Sequence, residues 1–202
     1  MSDPALATAR IDDWLGELAA PAPEPGGGAA AGVVIATGAA LVAMTAGYAS
    51  GAERDGVLAV ATRVRHAALV AAEHDGRMST ALVAAFRRPA ADPDRAAAIV
   101  DTTVRAADAS AGLVDLAASL TSPLLWLERH GEPRVAPDVA VAARMLACGI
   151  RSTAVNLRCD TTSAVAAGAD DAVAVRLRAA LTGALDAAAH LDSLADRVTA
   201  TL

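Results

Sequence analysis

The chain has 202 residues and a net charge of −6, with a pI near 5.1, which suits one domain of ordinary size. It holds 56 alanines, four aromatic residues (Trp14, Tyr48, Phe86, Trp126) and 17 basic residues that are all arginine. Lysine-dependent Schiff-base and P-loop chemistry is therefore excluded, and neither stacking platforms nor a basic surface for nucleic acid is present. Abundant alanine favours helix, because it loses no side-chain entropy on folding.

In chain order, Ile11, Trp14, Leu15 and Leu18 recur at helical spacing and predict an amphipathic helix over 8–19. The proline- and glycine-rich run Pro21–Gly28 ends it, and an uncharged helix follows over roughly 29–50. A third helix is expected from about 53 to 74, broken or kinked at Gly76 and resuming to Arg88. Asp92-Pro93 reads as N-cap and N1 of the next helix. That helix carries Asp101, Arg105 and Asp108 on a solvated, ion-paired face. Ser122-Pro123 opens a stretch holding Leu124, Leu125, Trp126 and Leu127, and Gly131-Glu132-Pro133 breaks it. Residues 138–158 read as helix, Thr161-Thr162-Ser163 as undecided, and 169–200 as the last helix. Strand patterns are nearly absent, so we expect an all-α fold, a single-domain bundle of long alanine-rich helices spanning 1–202.

The N-terminus has neither a basic region nor an apolar core of the signal-peptide kind. Cys148 and Cys159 lie eleven residues apart, about 16 Å along a helix, too far to bridge; both are expected as buried free thiols in a reducing cytoplasm. Pro25–Ala52 is free of charge over 28 residues, long enough for a bilayer. It is rich in alanine and glycine and no aromatic pair or arginine cluster anchors its ends, so a central helix of a soluble bundle is the expectation rather than a membrane span.

No Cys-x-x-Cys or His-x-x-x-His spacing offers a metal site, and no Gly-x-Ser-x-Gly marks a nucleophile elbow. Gly26-Gly27-Gly28 precedes a long helix without the spacing of a dinucleotide fingerprint. It reads either as an anion site at a helix N-terminus or as a plain turn. Arg144, Arg151 and Arg158 recur every seven residues, giving either a carboxylate-binding strip or an ordinary charged face.

Three stretches together resemble the opening of the cyclodeaminase/cyclohydrolase family: Ile11-Asp12-Asp13-Trp14-Leu15-Gly16-Glu17-Leu18, Pro23-Glu24-Pro25-Gly26-Gly27-Gly28, and Gly38-Ala39-Ala40-Leu41-Val42-Ala43-Met44. Asp138-Val139-Ala140-Val141-Ala142-Ala143 and Ala154-Val155-Asn156-Leu157 resemble its later segments, and Glu73-His74-Asp75 and Arg87-Arg88-Pro89 fall at family spacing. The family includes the cyclodeaminase domain of formiminotransferase-cyclodeaminase and stand-alone methenyltetrahydrofolate cyclohydrolases.

The resemblance implies a cytoplasmic, all-helical homodimer that binds a reduced folate, with no metal and no cofactor beyond that substrate. The implied reaction is hydrolysis of 5,10-methenyltetrahydrofolate to the 10-formyl compound, or cyclisation of 5-formiminotetrahydrofolate with loss of ammonia. A stand-alone chain favours the hydrolase. Asp138 and Asp75 are the catalytic candidates; Gly26, Gly27, Gly28, Asn156 and Arg151 are the substrate-binding ones. Asp138 is equally read as a helix N-cap after Pro137, and Asn156 as a bridge between helices. Glu53, Ser79, Glu132 and Asp160 depart from the family pattern, the last at its second asparagine. They motivate a second expectation, a catalytically silent folate-binding or scaffold homologue.

Overall fold

The computed structural model describes residues 5–202. Within them are seven α-helices: α1 (Ile11–Ala19), α2 (Gly27–Tyr48), α3 (Arg54–Phe86), α4 (Arg95–Ala118), α5 (Thr121–His130), α6 (Ala136–Ala166) and α7 (Asp171–Thr199). There is no strand among the described residues, so the all-α expectation holds. Helix α2 lies at the centre, packed between α3 and α6, while α4 and α7 flank α6.

Small residues set the central crossings. An added Cβ at Gly32 would stand 2.9 Å from the Ala72 Cβ and 3.0 Å from the Ala68 carbonyl, so α2 and α3 meet nearly backbone to backbone. On the other side, Ile35 fills the space above Gly149, and Leu146 fills that above Gly38. This reciprocal fit runs up α2 as it runs down α6, hence antiparallel. Ile35, Val42, Leu146 and Ile150 are fully buried there. The burial of α2 accounts for its mean hydropathy of 1.9: its apolar surface is spent on neighbouring helices.

Several local expectations are corrected. The third helix runs unbroken through Gly76, which lies under the Glu24 side chain of the incoming turn; glycine there serves close approach. Asp92 does not cap α4, whose N-cap is Asp94. The Asp92 carboxylate instead accepts from the Asp94 amide at 2.9 Å and pairs with Arg88 at 2.8 Å. Asp101 and Arg105 form the expected ion pair at 2.5 Å, whereas Asp108 crosses to Arg176 of α7. Helix α6 passes unbroken through Thr161-Thr162-Ser163, with the Thr161 and Thr162 hydroxyls donating back to the Leu157 and Arg158 carbonyls of the preceding turn, at 2.6 and 2.9 Å. Both cysteines are free but exposed, against the expected burial.

Candidate functional site

The glycine turn prepares the site. Gly26 is the extended N-cap of α2, and the first amides of a helix have no partner in their own helix. One of them, Ala29 N–H, donates to the carboxylate of Asp75, which reaches over from α3. The Asp75 carboxyl group occupies the volume a Cβ on Gly28 would need. The anion at this helix N-terminus is thus the protein's own aspartate, and only glycine at 28 leaves room for it. The favourable dipole and the amide hold Asp75 in place, while burial pushes its pKa upward as the dominant effect.

Asp75 opens onto a cavity of about 560 Å³ bounded by the N-terminus of α2 and by α3, α4 and α6, within the size range of small-molecule sites. Gly27 and Gly28 form one end, and Asp75, Met78 and Ser79 line the α3 wall. From α6 come Thr153, Asn156 and Asp160, spaced three and four apart so that one helical face presents all three. Apolar side chains from α3 and α4, including Val70, Leu82, Leu113 and Leu116, complete the walls.

The electrostatics are one-sided. The titratable groups on the wall are His74, Asp75, Cys159 and Asp160, with no arginine. Burial, reinforced by the neighbouring Asp75 charge, pushes the Asp160 carboxyl up to about 6. Two carboxyl groups of differing environment in one largely apolar cavity can hold a cation and pass a proton. Among the described residues no group of three or more His, Cys, Asp or Glu is placed to hold a metal ion.

Of the candidates drawn from the sequence, Gly27, Gly28, Asp75 and Asn156 converge on this cavity. Gly26 caps the helix just behind it. Asp138 stands elsewhere, in the first turn of α6 rather than at the N-cap, which is Val135. It is 22 residues from Asp160, about 33 Å along the same helix. Arg151 faces away from the cavity and pairs with Asp192 of α7 at 2.6 Å, beside the Arg144–Asp192 pair at 2.7 Å. The arginine strip is therefore, at Arg144 and Arg151, an interhelical ion-pair row within the chain. Of the departures, Ser79 and Asp160 lie on the cavity wall; Glu53 is exposed at the start of α3, and Glu132 pairs with Arg134 at 2.8 Å. Asp160 is the site residue that sequence reasoning undervalued, although its spacing of four from Asn156 already put the two on one face.

A second, shallower groove follows the outer face of α3. Arg63, Arg65 and His66 edge it, and it shares Ala67 and Val70 with the first cavity.

The fold and site define a helical bundle with an acidic, partly enclosed cavity at a glycine-led helix N-terminus, of a size suited to a small molecule. A family description, Formiminotransferase-cyclodeaminase, matches residues 10–164, and the chain belongs to that family. Its fold is similar to that of a formiminotetrahydrofolate cyclodeaminase from Thermotoga maritima, with a TM-score of 0.80 at 18% identity over 98% of this chain and 97% of that one. No curated protein matches the chain significantly in sequence.

Proposed function

We propose that this protein is a folate one-carbon enzyme that hydrolyses 5,10-methenyltetrahydrofolate to 10-formyltetrahydrofolate, or closes 5-formiminotetrahydrofolate with release of ammonia. The observation that carries this reading is the anchored Asp75 carboxylate facing Asn156 across the cavity at the glycine turn. Both reactions pass through a cationic or amidine carbon between N5 and N10, which a carboxylate in a partly dry site stabilises. Asn156 offers a donor and an acceptor suited to a pterin edge. The chemistry calls for no metal and no further cofactor. We place the protein in the cytoplasm as a homodimer; the exposed Met44 and Tyr48, one turn apart on α2, supply apolar surface for self-association.

Loss of methenyl absorbance with purified protein, measured against spontaneous hydrolysis, tests the hydrolase; release of ammonia from the formimino compound tests the deaminase. The competing reading, a silent folate-binding homologue, predicts saturable heat on calorimetric titration with reduced folates and no acceleration of either reaction. A scaffold retaining the fold alone predicts neither.

The cavity wall carries no arginine to pair with the carboxylates of a folate tail, so the tail lies in our proposal along the adjoining groove toward Arg63 and Arg65. Replacing both by alanine is expected to raise KM roughly three- to tenfold with kcat unchanged, as for exposed pairs worth about 1 kcal/mol. An unchanged KM in steady-state assays removes the tail from this groove.

A further inference from the structure

Asp160 is 8% exposed, lies on the cavity wall, and has no hydrogen-bond donor among the described residues. The carboxyl group is largely withdrawn from solvent and opens only onto the cavity, so a cationic ligand seated there is the partner that would offset its lost hydration. The charged or titratable groups facing it are Asp75 and His74 from α3 and Cys159 from its own helix; the cavity residues of α2 and α4 carry none. Ser110 and Thr153 add hydroxyls, and the rest of the wall is apolar.

We propose that Asp160 and Asp75 together form a receptor for a delocalised amidinium-type cation, with Asp160 as the group that takes up and returns the proton. Asp75, tied to the Ala29 amide at the positive end of α2, remains the fixed anion. Asp160 lacks such an anchor, and burial with the neighbouring Asp75 charge pushes its carboxyl up to about 6, a range in which a group can both accept and donate a proton. The site thereby distinguishes ligands by charge, favouring a cationic substrate over a neutral product of similar shape.

The identity of the substrate rests on the one-carbon reading above. In the hydrolysis, a water O–H bond breaks, its proton passes to the Asp160 carboxylate, and the oxygen bonds to the methenyl carbon. The C=N electron pair returns to nitrogen, giving a neutral hydroxy adduct. Asp160 then gives its proton to N5 as the carbon–N5 bond breaks with its electron pair on N5. The hydroxyl oxygen becomes the formyl carbonyl and releases its proton to solvent, so one water is consumed and one proton released.

The test compares the full chain with Asp160→Asn in three measurements. Calorimetric binding of benzamidinium, which stays charged throughout, is expected to be roughly tenfold tighter at about pH 7.5 than at about pH 5 in the parent, and within about twofold in the variant. The parent's kcat/KM for methenyl hydrolysis should fall below about pH 6, and the variant should lose that limb together with roughly a hundredfold or more in kcat. The third readout is thermal stability. The unfolded carboxyl titrates near 3.8 and the folded one near 6. The folded state therefore binds the extra proton between these values, and stability falls as pH rises through that window. The parent's melting temperature should drop relative to that of Asp160→Asn across that range and run parallel above it, which also establishes that the variant folds.

Benzamidinium affinity in the parent that is flat with pH, or an acidic limb that survives in Asp160→Asn, overturns the inference. Absence of turnover together with pH-dependent amidinium binding sinks the one-carbon reading and leaves the receptor standing. Turnover with flat binding does the reverse.

Discussion

Asp75→Asn is expected to lower kcat for the one-carbon reaction by about 10²–10⁴-fold, the range for losing a positioned proton-transfer or charge-stabilising carboxylate. The asparagine still accepts from the Ala29 amide, so the α2 N-terminus stays satisfied and only the charge is removed. Gly28→Ala separates charge from position. Its Cβ collides with the Asp75 carboxyl group and must drive it off the helix end. The carboxylate survives but sits about 1 Å or more away, a displacement that costs about 10²-fold. Steady-state kinetics with circular dichroism as a folding control checks both. Full activity in Asp75→Asn would remove this residue from the chemistry; full activity in Gly28→Ala would show that its placement is not critical.

Gly149→Ala is expected to destabilise the protein by about 1–2 kcal/mol. Alanine is intrinsically better than glycine in a helix by roughly 0.5–1 kcal/mol, so the sign depends on packing. The new Cβ would fall within contact distance of Ile35 Cγ1, and Ile35 is fully buried with no room to swing aside. Overpacking of this kind costs about 1–3 kcal/mol and outweighs the helical gain. For a chain of this size the melting temperature should drop by roughly 2–4 °C per kcal/mol.

Ile35→Ala alone leaves a cavity worth about 2–5 kcal/mol. The double variant should be less damaged than the sum of the two, because the added Cβ occupies part of the space Ile35 vacates. Strict additivity in denaturant melts would mean that the two residues do not share this contact.

Both predictions turn on glycines whose meaning was only half legible. The glycine turn was visible as a punctuation mark, and its resemblance to a known family pointed toward this end of the molecule. Its local physics left an anion site and a plain turn level. The choice depended on a residue 47 positions away, since it is Asp75 that fills the helix end. Gly76 misled for the same reason: a glycine in a helical pattern signals a break when only the local chain is considered, yet here it lets Glu24 cross α3 closely. Asp138 and Asn156 belong to two motifs carried on one helix. The length of α6 then separated them, because a helix rises about 1.5 Å per residue and carries the two to different ends.

Composition and periodicity alone determined that this chain is helical, roughly where most of its helices lie, and that lysine chemistry is excluded. These are short-range properties, set by propensity and by a 3.6-residue repeat. Which small residues became contacts, which arginines became interhelical ion pairs and which carboxyls were stripped of water was decided only when α2, α3, α4 and α6 packed together. Burial and Coulomb coupling depend on distances between segments far apart in sequence. That is why Asp160, a mere departure from a motif along the chain, becomes in three dimensions the neighbour of Asp75 in one cavity.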